Sequence, residues 1–339
     1  METAFRTAVL PKNMNVQAVA DLSPDERAAF FERDAGIESA RDAVEGIVSR
    51  VRSEGDAALR AYASEFDDVE IGNVDVTDAA ERAYEDIDDD LRGAIETAAE
   101  NVRAFHQHSV PEDWRESFEG RELGRRYRPL SRVGVYAPGG TAAYPSSVLM
   151  GVVPAKVAGV DHVAVATPPA EELPPATLAA AHVAGADAVY QAGGAQAVAA
   201  LAYGTETVSP VEKIVGPGNR WVTAGKAEVR GDVEIDFLAG PSEVLVVCDA
   251  TADPELVAAD MLAQAEHDPN ASVVCVTDDD ATAEAVAAAC EEQAEARDRQ
   301  EVIEAALDND ASGVLTARSM SEAVLFAEEY AAEHLSIVT

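Results

Sequence analysis

The stretch from Arg132 to Gly140, RVGVYAPGG, joins a short apolar segment to a glycine-rich turn. The same pattern returns at residues 162–168, 188–194 and 213–218, which read HVAVATP, AVYQAGG and KIVGPG. Alanine-rich segments with helical periodicity separate these stretches. Apolar strands that are joined by helices indicate a parallel sheet with both faces covered, so this part of the chain predicts an α/β fold.

A second run of apolar segments follows the first after VEIDFLAGP at residues 233–241. Its members are EVLVVCDA (243–250), SVVCVTD (272–278), GVLTA (313–317) and HLSIVT (334–339). The change of pattern near Gly240–Pro241 predicts two Rossmann-like units, each built on a parallel sheet.

The part of the chain before these units reads as helical. Residues 38–62 and 79–108 each have the apolar spacing of one amphipathic helix, and residues 116–137 predict a hairpin or a pair of strands. We therefore expect three segments. Residues 1–128 form an N-terminal arm with helices that pack with the later α/β unit, residues 129–239 form the first unit, and residues 240–339 form the second.

The chain is very acidic, with 63 acidic and 25 basic residues among 339 and a net charge of -38. Such a charge repels itself in dilute salt and is tolerated where counterions screen it. A disordered acidic chain is excluded, because 47% of the residues are hydrophobic. The charge also argues against binding to nucleic acid or to an anionic membrane, and it predicts a protein adapted to high internal salt.

The sequence predicts a cytoplasmic location. It contains no apolar run long enough to span a membrane, and the first residues lack the pattern of a signal peptide. Its three cysteines, an odd number without a pairing pattern, are typical of a reducing compartment.

Glycine-rich loops follow four of the predicted strands, where ligands of open α/β sheets gather. They read YAPGG (136–140), QAGGAQ (191–196), VGPGN (215–219) and LAGPSE (238–243). One such loop has a purely geometric explanation, but four in succession favour a ligand with phosphate groups. The usual dinucleotide fingerprint is absent, because Trp221 stands where its third glycine should be.

Polar side chains crowd the end of one apolar helix in MLAQAEHDP, residues 261–269. The helix is predicted from Asp253 to about His267, and Asp260, Gln264 and His267 share one stripe of it. A histidine at a helix C-terminus is also favoured by the helix dipole alone. The stripe is therefore either a metal site or an ordinary helix end.

A second candidate pair, Glu333 and His334, lies where a helix meets the last predicted strand. We expect this corner at a carboxyl-adjacent edge of the sheet, with the pair serving as general base and proton shuttle. In so acidic a chain, a glutamate beside a histidine is also an easy coincidence.

A cysteine nucleophile, as in an aldehyde dehydrogenase acting through Cys248 or Cys275, is the competing enzymatic interpretation. Both residues lie inside apolar strands, where cysteine behaves as a small hydrophobic residue. Cys290 lies among acids, which raise the pKa of a thiol.

Taken together, several of these strings resemble the histidinol dehydrogenase family from about residue 38 to residue 339. They are VGVYAPGG, AAYPSSVLMGVVPAKVAGV, QAGGAQAVAALAYGT, KIVGPGN, AGPSEVLVV, DMLAQAEHDP and AAEHL, in this order. The resemblance implies an aldehyde-dehydrogenase-like α/β fold and a homodimeric zinc enzyme. It also implies oxidation of L-histidinol through the aldehyde to L-histidine with two NAD⁺.

The resemblance also assigns roles to individual residues. Gln264 and His267 match zinc and substrate ligands, while Asp260 is a supporting residue. Glu333 matches the base that activates water, and His334 its acid/base partner and a substrate contact. The remaining matches are a substrate-binding serine, Ser242, and the NAD contacts Tyr136, Gln196 and Asn219.

Members of this family continue beyond the point that corresponds to Thr339, and that region supplies an Asp and a His as further zinc ligands. We therefore expect the 339-residue chain to lack a C-terminal region and to bind zinc poorly. Two other interpretations remain open. One is a related NAD-dependent alcohol or aldehyde dehydrogenase with another substrate, and the other is an inactive protein that only binds nucleotide.

Overall fold

The computed structural model describes residues 14–31, 37–139, 143–238 and 243–339. These residues divide into two compact units. The first unit contains the described residues from 37 to 238. The second unit combines residues 14–31 with residues 243–339, so that it is discontinuous along the chain.

Both units combine helices and strands. The strands are β1 (Val16–Ala18), β2 (Trp114–Phe118), β3 (Arg121–Arg125), β4 (Arg132–Tyr136), β5 (His162–Thr167), β6 (Ala188–Gln191), β7 (Lys213–Val215), β8 (Glu234–Ile235), β9 (Glu243–Cys248), β10 (Ser272–Thr277), β11 (Gly313–Thr316) and β12 (Leu335–Val338). The α-helices are α1 (Pro24–Phe31), α2 (Ile37–Glu54), α3 (Asp56–Phe66), α4 (Thr77–Asp86), α5 (Asp89–Gln107), α6 (Pro145–Val157), α7 (Pro175–Ala184), α8 (Gly194–Tyr203), α9 (Arg220–Val229), α10 (Pro254–Ala265), α11 (Asp280–Ala294), α12 (Gln300–Leu307) and α13 (Met320–Tyr330).

The sheet of the first unit is parallel throughout and has the strand order β6-β5-β4-β7-β8. The order reverses beside β4, because the chain adds β5 and β6 on one side and then returns to add β7 and β8 on the other. Helices cover both faces. The apolar side chains of β5 alternate between the two, with Val163 and Val165 on one face and Ala164 and Ala166 on the other. The predicted α/β fold, in which helices cover both faces of a parallel sheet, is confirmed.

The N-terminal helices pack differently from the prediction. Helices α2 and α3 lie in one core of the first unit with α8 and α9, and α4 and α5 lie in the other with α6 and α7. The apolar stripe of α2, which includes Val44, Val48 and Val51, is buried against this unit and not against the later one. Residues 14–31 do join the later unit, where β1 pairs with β11. The three-segment division of the chain otherwise stays a prediction.

Each of the two predicted N-terminal helices is in fact a pair of helices. The first breaks at Gly55, which has a φ of 57°, a value that glycine adopts without steric cost. The stretch 79–108 breaks before α5, where the side chain of Asp88 accepts a hydrogen bond from the N–H of Leu91 and caps the helix. The apolar periodicity continues across both breaks and therefore did not reveal them.

The sheet of the second unit repeats the arrangement of the first. Its order is β1-β11-β10-β9-β12, with all neighbours parallel, so that the order reverses beside β9. Helices α10, α11 and α12 cover one face, and α1 and α13 cover the other. All six residues of β9 are buried, including Glu243 at its start.

Strands β2 and β3 form an antiparallel hairpin that begins two residues before the predicted range 116–137 and otherwise lies inside it. Among the described residues, no helix combines the length and the apolar content that crossing a bilayer requires.

A buried carboxylate anchors the start of α3. The Asp56 side chain accepts hydrogen bonds from the hydroxyls of Thr205 and Thr207, at 2.6 and 2.5 Å. Burial favours the neutral acid, but these hydrogen bonds, with the nearby charge of Arg60, outweigh it and hold the pKa of Asp56 below its ordinary value. The contribution of Asp56 to stability is therefore present above a pH of about 4 and is lost as the pH falls through the folded-state pKa.

We expect Asp56→Asn to lower the free energy of unfolding at pH 7 by about 2 kcal/mol, because hydrogen bonds to a charged group are lost. The difference from wild type should shrink as the pH falls below about 4, where Asp56 becomes protonated. Urea unfolding at fixed KCl concentration, followed by circular dichroism, measures both effects.

Asp67→Asn is the matched control, because burial raises the pKa of Asp67 to about 6. Its raised pKa costs stability that grows as the pH rises from about 4, where the unfolded carboxyl ionises, to about 6, so the neutral variant should be more stable than wild type at pH 8 and not at pH 4. Equal losses of stability in the two variants at pH 7 would contradict this assignment.

Candidate functional site

The carboxyl ends of β4 and β7 meet where the strand order of the first sheet reverses, the usual ligand position in open α/β sheets. Gly216, directly after β7, has a φ of 116°. A Cβ atom at this position would lie 2.1 Å from the carbonyl oxygen of Tyr136 at the end of β4. Only glycine therefore allows the two strand ends to approach this closely.

A buried ion pair holds Gly216 in place. The Lys226 Nζ donates to the carbonyl oxygen of Gly216 at 2.5 Å and to Asp236 Oδ1 at 2.6 Å. The other carboxylate oxygen of Asp236 accepts the N–H of Gly216 at 2.8 Å. Lys226 is only 3% exposed. Both polar groups of Gly216 are thus bonded to one ion pair, which fixes the loop at residues 216–219.

Tyr136 and Gln196 are buried side by side at this edge. The hydroxyl of Tyr136 accepts the N–H of Gly194, the first residue of α8, at 3.1 Å, and no acceptor for its own O–H is found among the described residues. Burial raises the pKa of Tyr136 to about 12, with a further contribution from the charge of Asp67. Gln196 lies in the first turn of α8, and its side chain is close to Gly194. The phenol is therefore a neutral hydrogen-bonding group throughout the physiological pH range.

The starts of α8 and α9 differ in what they leave available. Asn219 caps α9, because its Oδ1 accepts the N–H groups of Trp221 and Val222. At the start of α8, Gly193 has no side chain that could act as a cap, and the N–H of Gly194 is bonded to the Tyr136 hydroxyl. An uncapped helix start beside glycine-rich loops offers backbone N–H groups to an anion. This edge of the first unit therefore fits a nucleotide with phosphate groups.

The second unit contains the other described candidates, and their position differs from the prediction. Glu333 and His334 lie between α13 and β12, so they stand at the amino end of β12 and not at a carboxyl edge. Both side chains are exposed. The reason is geometric: a helix that leads into a parallel strand delivers the chain to the edge at which the strands begin.

Glu243, at the start of the neighbouring strand β9, contacts both candidates. Its Oε1 accepts the backbone N–H of Glu333 at 2.7 Å. Its backbone carbonyl lies 3.0 Å from Nδ1 of the His334 ring. A carbonyl oxygen can only accept, so this contact puts the proton on Nδ1 and leaves Nε2 as the basic nitrogen.

Gln264 and His267 lie at the end of α10, near the same edge. Helix α10 ends at Ala265, two residues before the predicted end at about His267. Gln264 is in its last turn and half-buried, whereas the exposed His267 lies beyond the helix. Asp260, one turn before Gln264, accepts the hydroxyl of Ser336 in β12 at 2.6 Å. Measured from this contact, Gln264 lies about 6 Å further along α10, and His334 lies about 6 Å back along β12. Both displacements lead toward the amino end of β12, so we expect Gln264 and His334 to lie at the same end of the sheet.

The donor set at this edge is incomplete for a zinc ion. Gln264 and His267 offer one amide oxygen and one ring nitrogen, whereas catalytic zinc takes three protein ligands and structural zinc four. Across the described residues, no group of three or more His, Cys, Asp and Glu side chains could hold a metal. The described residues by themselves therefore do not fit a complete zinc site.

Two of the remaining predictions have plain outcomes. Ser242, the predicted substrate contact, lies outside the described residues. Cys248, Cys275 and Cys290 are all free thiols and fully buried. Burial raises the pKa of Cys290 to about 12. The geometry therefore offers no support for a cysteine nucleophile.

Several residues at these two edges were not predicted from the sequence. Glu243 follows directly after the predicted Ser242, and an acid that opens a fully apolar strand could have identified it. Lys226 is one of four lysines in the chain and lies in the helix after a glycine-rich loop, which is a weaker signal. No local sequence pattern relates Asp236 to the Gly216 loop or Asp67 to Tyr136.

Comparison with known proteins gives one consistent result. The sequence profile described as histidinol dehydrogenase matches residues 32–339. A histidinol dehydrogenase of Natronomonas pharaonis is 82% identical over 325 residues, which are 96% of this chain and 77% of that protein. One from Bacillus subtilis is 47% identical over 310 residues, 90% of this chain and 72% of that protein.

A solved structure agrees with the sequence relatives. The crystal structure of histidinol dehydrogenase from Elizabethkingia anophelis matches with a TM-score of 0.83 at 34% sequence identity. The match covers 96% of this chain and 76% of that one.

The buried ion pair at Gly216 can be tested by its removal. We expect Lys226→Met to lower the free energy of unfolding by about 3–5 kcal/mol, because Asp236 is left as an uncompensated buried charge. Adding an Asp236→Leu change should restore part of this loss, since no buried charge then remains. Urea unfolding at fixed KCl concentration measures both variants.

Lys156→Met is the matched control. Lys156 pairs with Asp187 at 2.5 Å before β6, but the two side chains are 27% and 36% exposed. Its loss should cost only about 0–1 kcal/mol. A loss in Lys226→Met no larger than in this control would show that the Gly216 loop does not depend on the ion pair.

Proposed function

Since the chain belongs to the histidinol dehydrogenase family, we propose that it oxidises L-histidinol through L-histidinaldehyde to L-histidine with NAD as hydride acceptor. The family is one of oxidoreductases of histidine biosynthesis. The observation that carries the residue-level proposal is the corner at the amino ends of β9 and β12, where Glu243 contacts both an exposed carboxylate and an exposed imidazole.

We propose that NAD binds at the carboxyl edge of the first unit, with Tyr136, Gln196 and Asn219 as contacts. The uncapped start of α8 suits a phosphate group. The hydroxyl of Tyr136 still has a proton to donate, and the exposed Asn219 offers its amide nitrogen. Bound NAD supplies the acceptor for hydride, and these residues orient it.

Glu333 and His334 would move the protons of both oxidations. His334, with Nδ1 bonded to the Glu243 carbonyl, presents Nε2 to the hydroxyl of the alcohol. Nε2 takes the hydroxyl proton as hydride leaves the carbon that bears this hydroxyl. Glu333 then takes a proton from the water that adds to the aldehyde carbon. The product of this addition loses a second hydride and becomes the carboxylic acid.

Substrate would be held in the second unit by Ser242, Gln264, His267 and His334. We also propose Gln264 and His267 as two ligands of a zinc ion whose remaining donors lie outside the described residues. The described residues do not supply a complete set of zinc ligands. The proton transfers proposed above therefore use only the side chains of Glu333 and His334.

The acidic composition and the family resemblance support broader proposals. A net charge of -38 is consistent with an enzyme of a cytoplasm rich in salt, where counterions screen its self-repulsion. We also propose that the enzyme is a homodimer, acts on a small molecule, and binds neither nucleic acid nor a membrane.

The activity is tested by NADH formation from L-histidinol and NAD⁺ in multimolar KCl with added Zn²⁺. We expect two NADH per histidinol from wild type. In Glu333→Gln, turnover should fall by about 10²–10⁴-fold, because an amide cannot accept the proton of water. The matched control is Glu328→Gln, at an exposed glutamate of α13, which should retain full activity. A folded wild-type chain that forms no NADH, or an active Glu333→Gln variant, would contradict the proposal.

Salt dependence gives a further prediction. The melting temperature, followed by circular dichroism, should rise as KCl increases from about 0.1 M to about 3 M, since the screening length shortens over this range. A melting temperature that stays constant or falls would argue against adaptation to high salt.

A further inference from the structure

Glu243 is the one charged residue of β9, whose other five residues are apolar. It is only 5% exposed. A buried carboxylate at the start of a strand costs free energy unless hydrogen bonds compensate it. An apolar residue would continue the pattern of the strand without this cost. The burial of an acid here therefore calls for a function at this position.

The contacts of Glu243 identify that function. Its carboxylate accepts the N–H of Glu333, and its backbone carbonyl is bonded to Nδ1 of His334. The carbonyl of His334 in turn accepts the N–H of Leu245, two residues further along β9. One residue thus fixes both the backbone at Glu333 and the ring of His334.

The segment that Glu243 contacts has little regular structure of its own. Helix α13 ends at Tyr330, and Ala331 takes a left-handed conformation with a φ of 49°. Strand β12 begins only at Leu335. Between them the chain makes a bend in which Glu333 and His334 are exposed. Hydrogen bonds from a buried strand therefore hold the Glu333 backbone and the His334 ring in place.

We propose that Glu243 is a positioning residue for the reaction: its carboxylate holds the Glu333 backbone and its carbonyl sets the His334 ring, so that both side chains face the substrate. This inference rests on the proposed roles of Glu333 and His334. Displacement of catalytic groups by about 1 Å costs up to about 100-fold in rate, which sets the size of the expected effect.

The first unit contains a similar contact that serves as control. Glu212 accepts the N–H of Ser131 at 2.5 Å through one carboxylate oxygen, directly before β4 at the amino edge of its sheet. It has the same kind of bond to a strand start, but the residues it holds have no assigned chemistry. Glu212→Ala should therefore leave kcat unchanged.

The experiment measures kcat, KM for L-histidinol and the Kd of NAD⁺ for three variants, each normalised to folded protein. Glu243→Ala and Glu243→Asp should lower kcat by about 10- to 100-fold, because the carboxylate is absent or one methylene too short. Glu243→Gln keeps an acceptor oxygen and should stay within about threefold of wild type. The Kd of NAD⁺ should be unchanged in all three.

The outcomes distinguish the positioning role of Glu243 from the proposed function on which it rests. If Glu243→Ala does not fold, Glu243→Asp, which keeps the charge, decides the question. A kcat within twofold of wild type in the Asp variant, or equal losses in the Gln and Ala variants, would overturn the positioning role. If Glu333→Gln is also fully active, the proposed function itself fails, whatever Glu243 does.

Discussion

A parallel strand covered by helices on both faces has no side on which a charged group can meet water, and this constraint decides where chemistry occurs in the protein. The central strands of both parallel sheets, such as β5, β9 and β10, are apolar through their middles, and polar groups stand at their ends. Lys226 is buried at one such end, where it pairs with the partly buried Asp236, and Glu243 is buried at another, where it accepts the N–H of Glu333. The candidate residues are concentrated at strand ends because the interior of the sheets excludes them.

The two units use this constraint in opposite ways. In the first, the candidates stand where strands end and the order reverses beside β4. In the second, the order reverses beside β9 in the same manner, yet Glu333, His334 and Gln264 gather where strands begin. Similar strand orders therefore do not imply similar site positions, and the second site is built from the connections that lead into strands.

The sequence predicted the α/β class and most strands, because an apolar run between glycine-rich turns is a local property. Local patterns did not reveal the breaks at Gly55 and before α5, since apolar periodicity runs on across both. They also could not show which strands are neighbours. The contact between Glu243 and Glu333 exists because β12 pairs with β9, across 90 residues of sequence. Glu333 and His334 were predicted as a pair, but Glu243, which contacts both, was not predicted.

The discontinuity of the second unit has a consequence for how the chain is made. Val16 pairs with Val314, a partner that is synthesised roughly 300 residues later. The ribosome delivers every strand of the first sheet before β9 exists, so that sheet has all its partners early. The segment with β1 leaves the ribosome long before its partner β11 does. Such long-range pairing is slow to form, and an edge strand left unpaired invites association with other chains. The first sheet can therefore be completed before the second, and β1 must remain without its partner strand throughout that time.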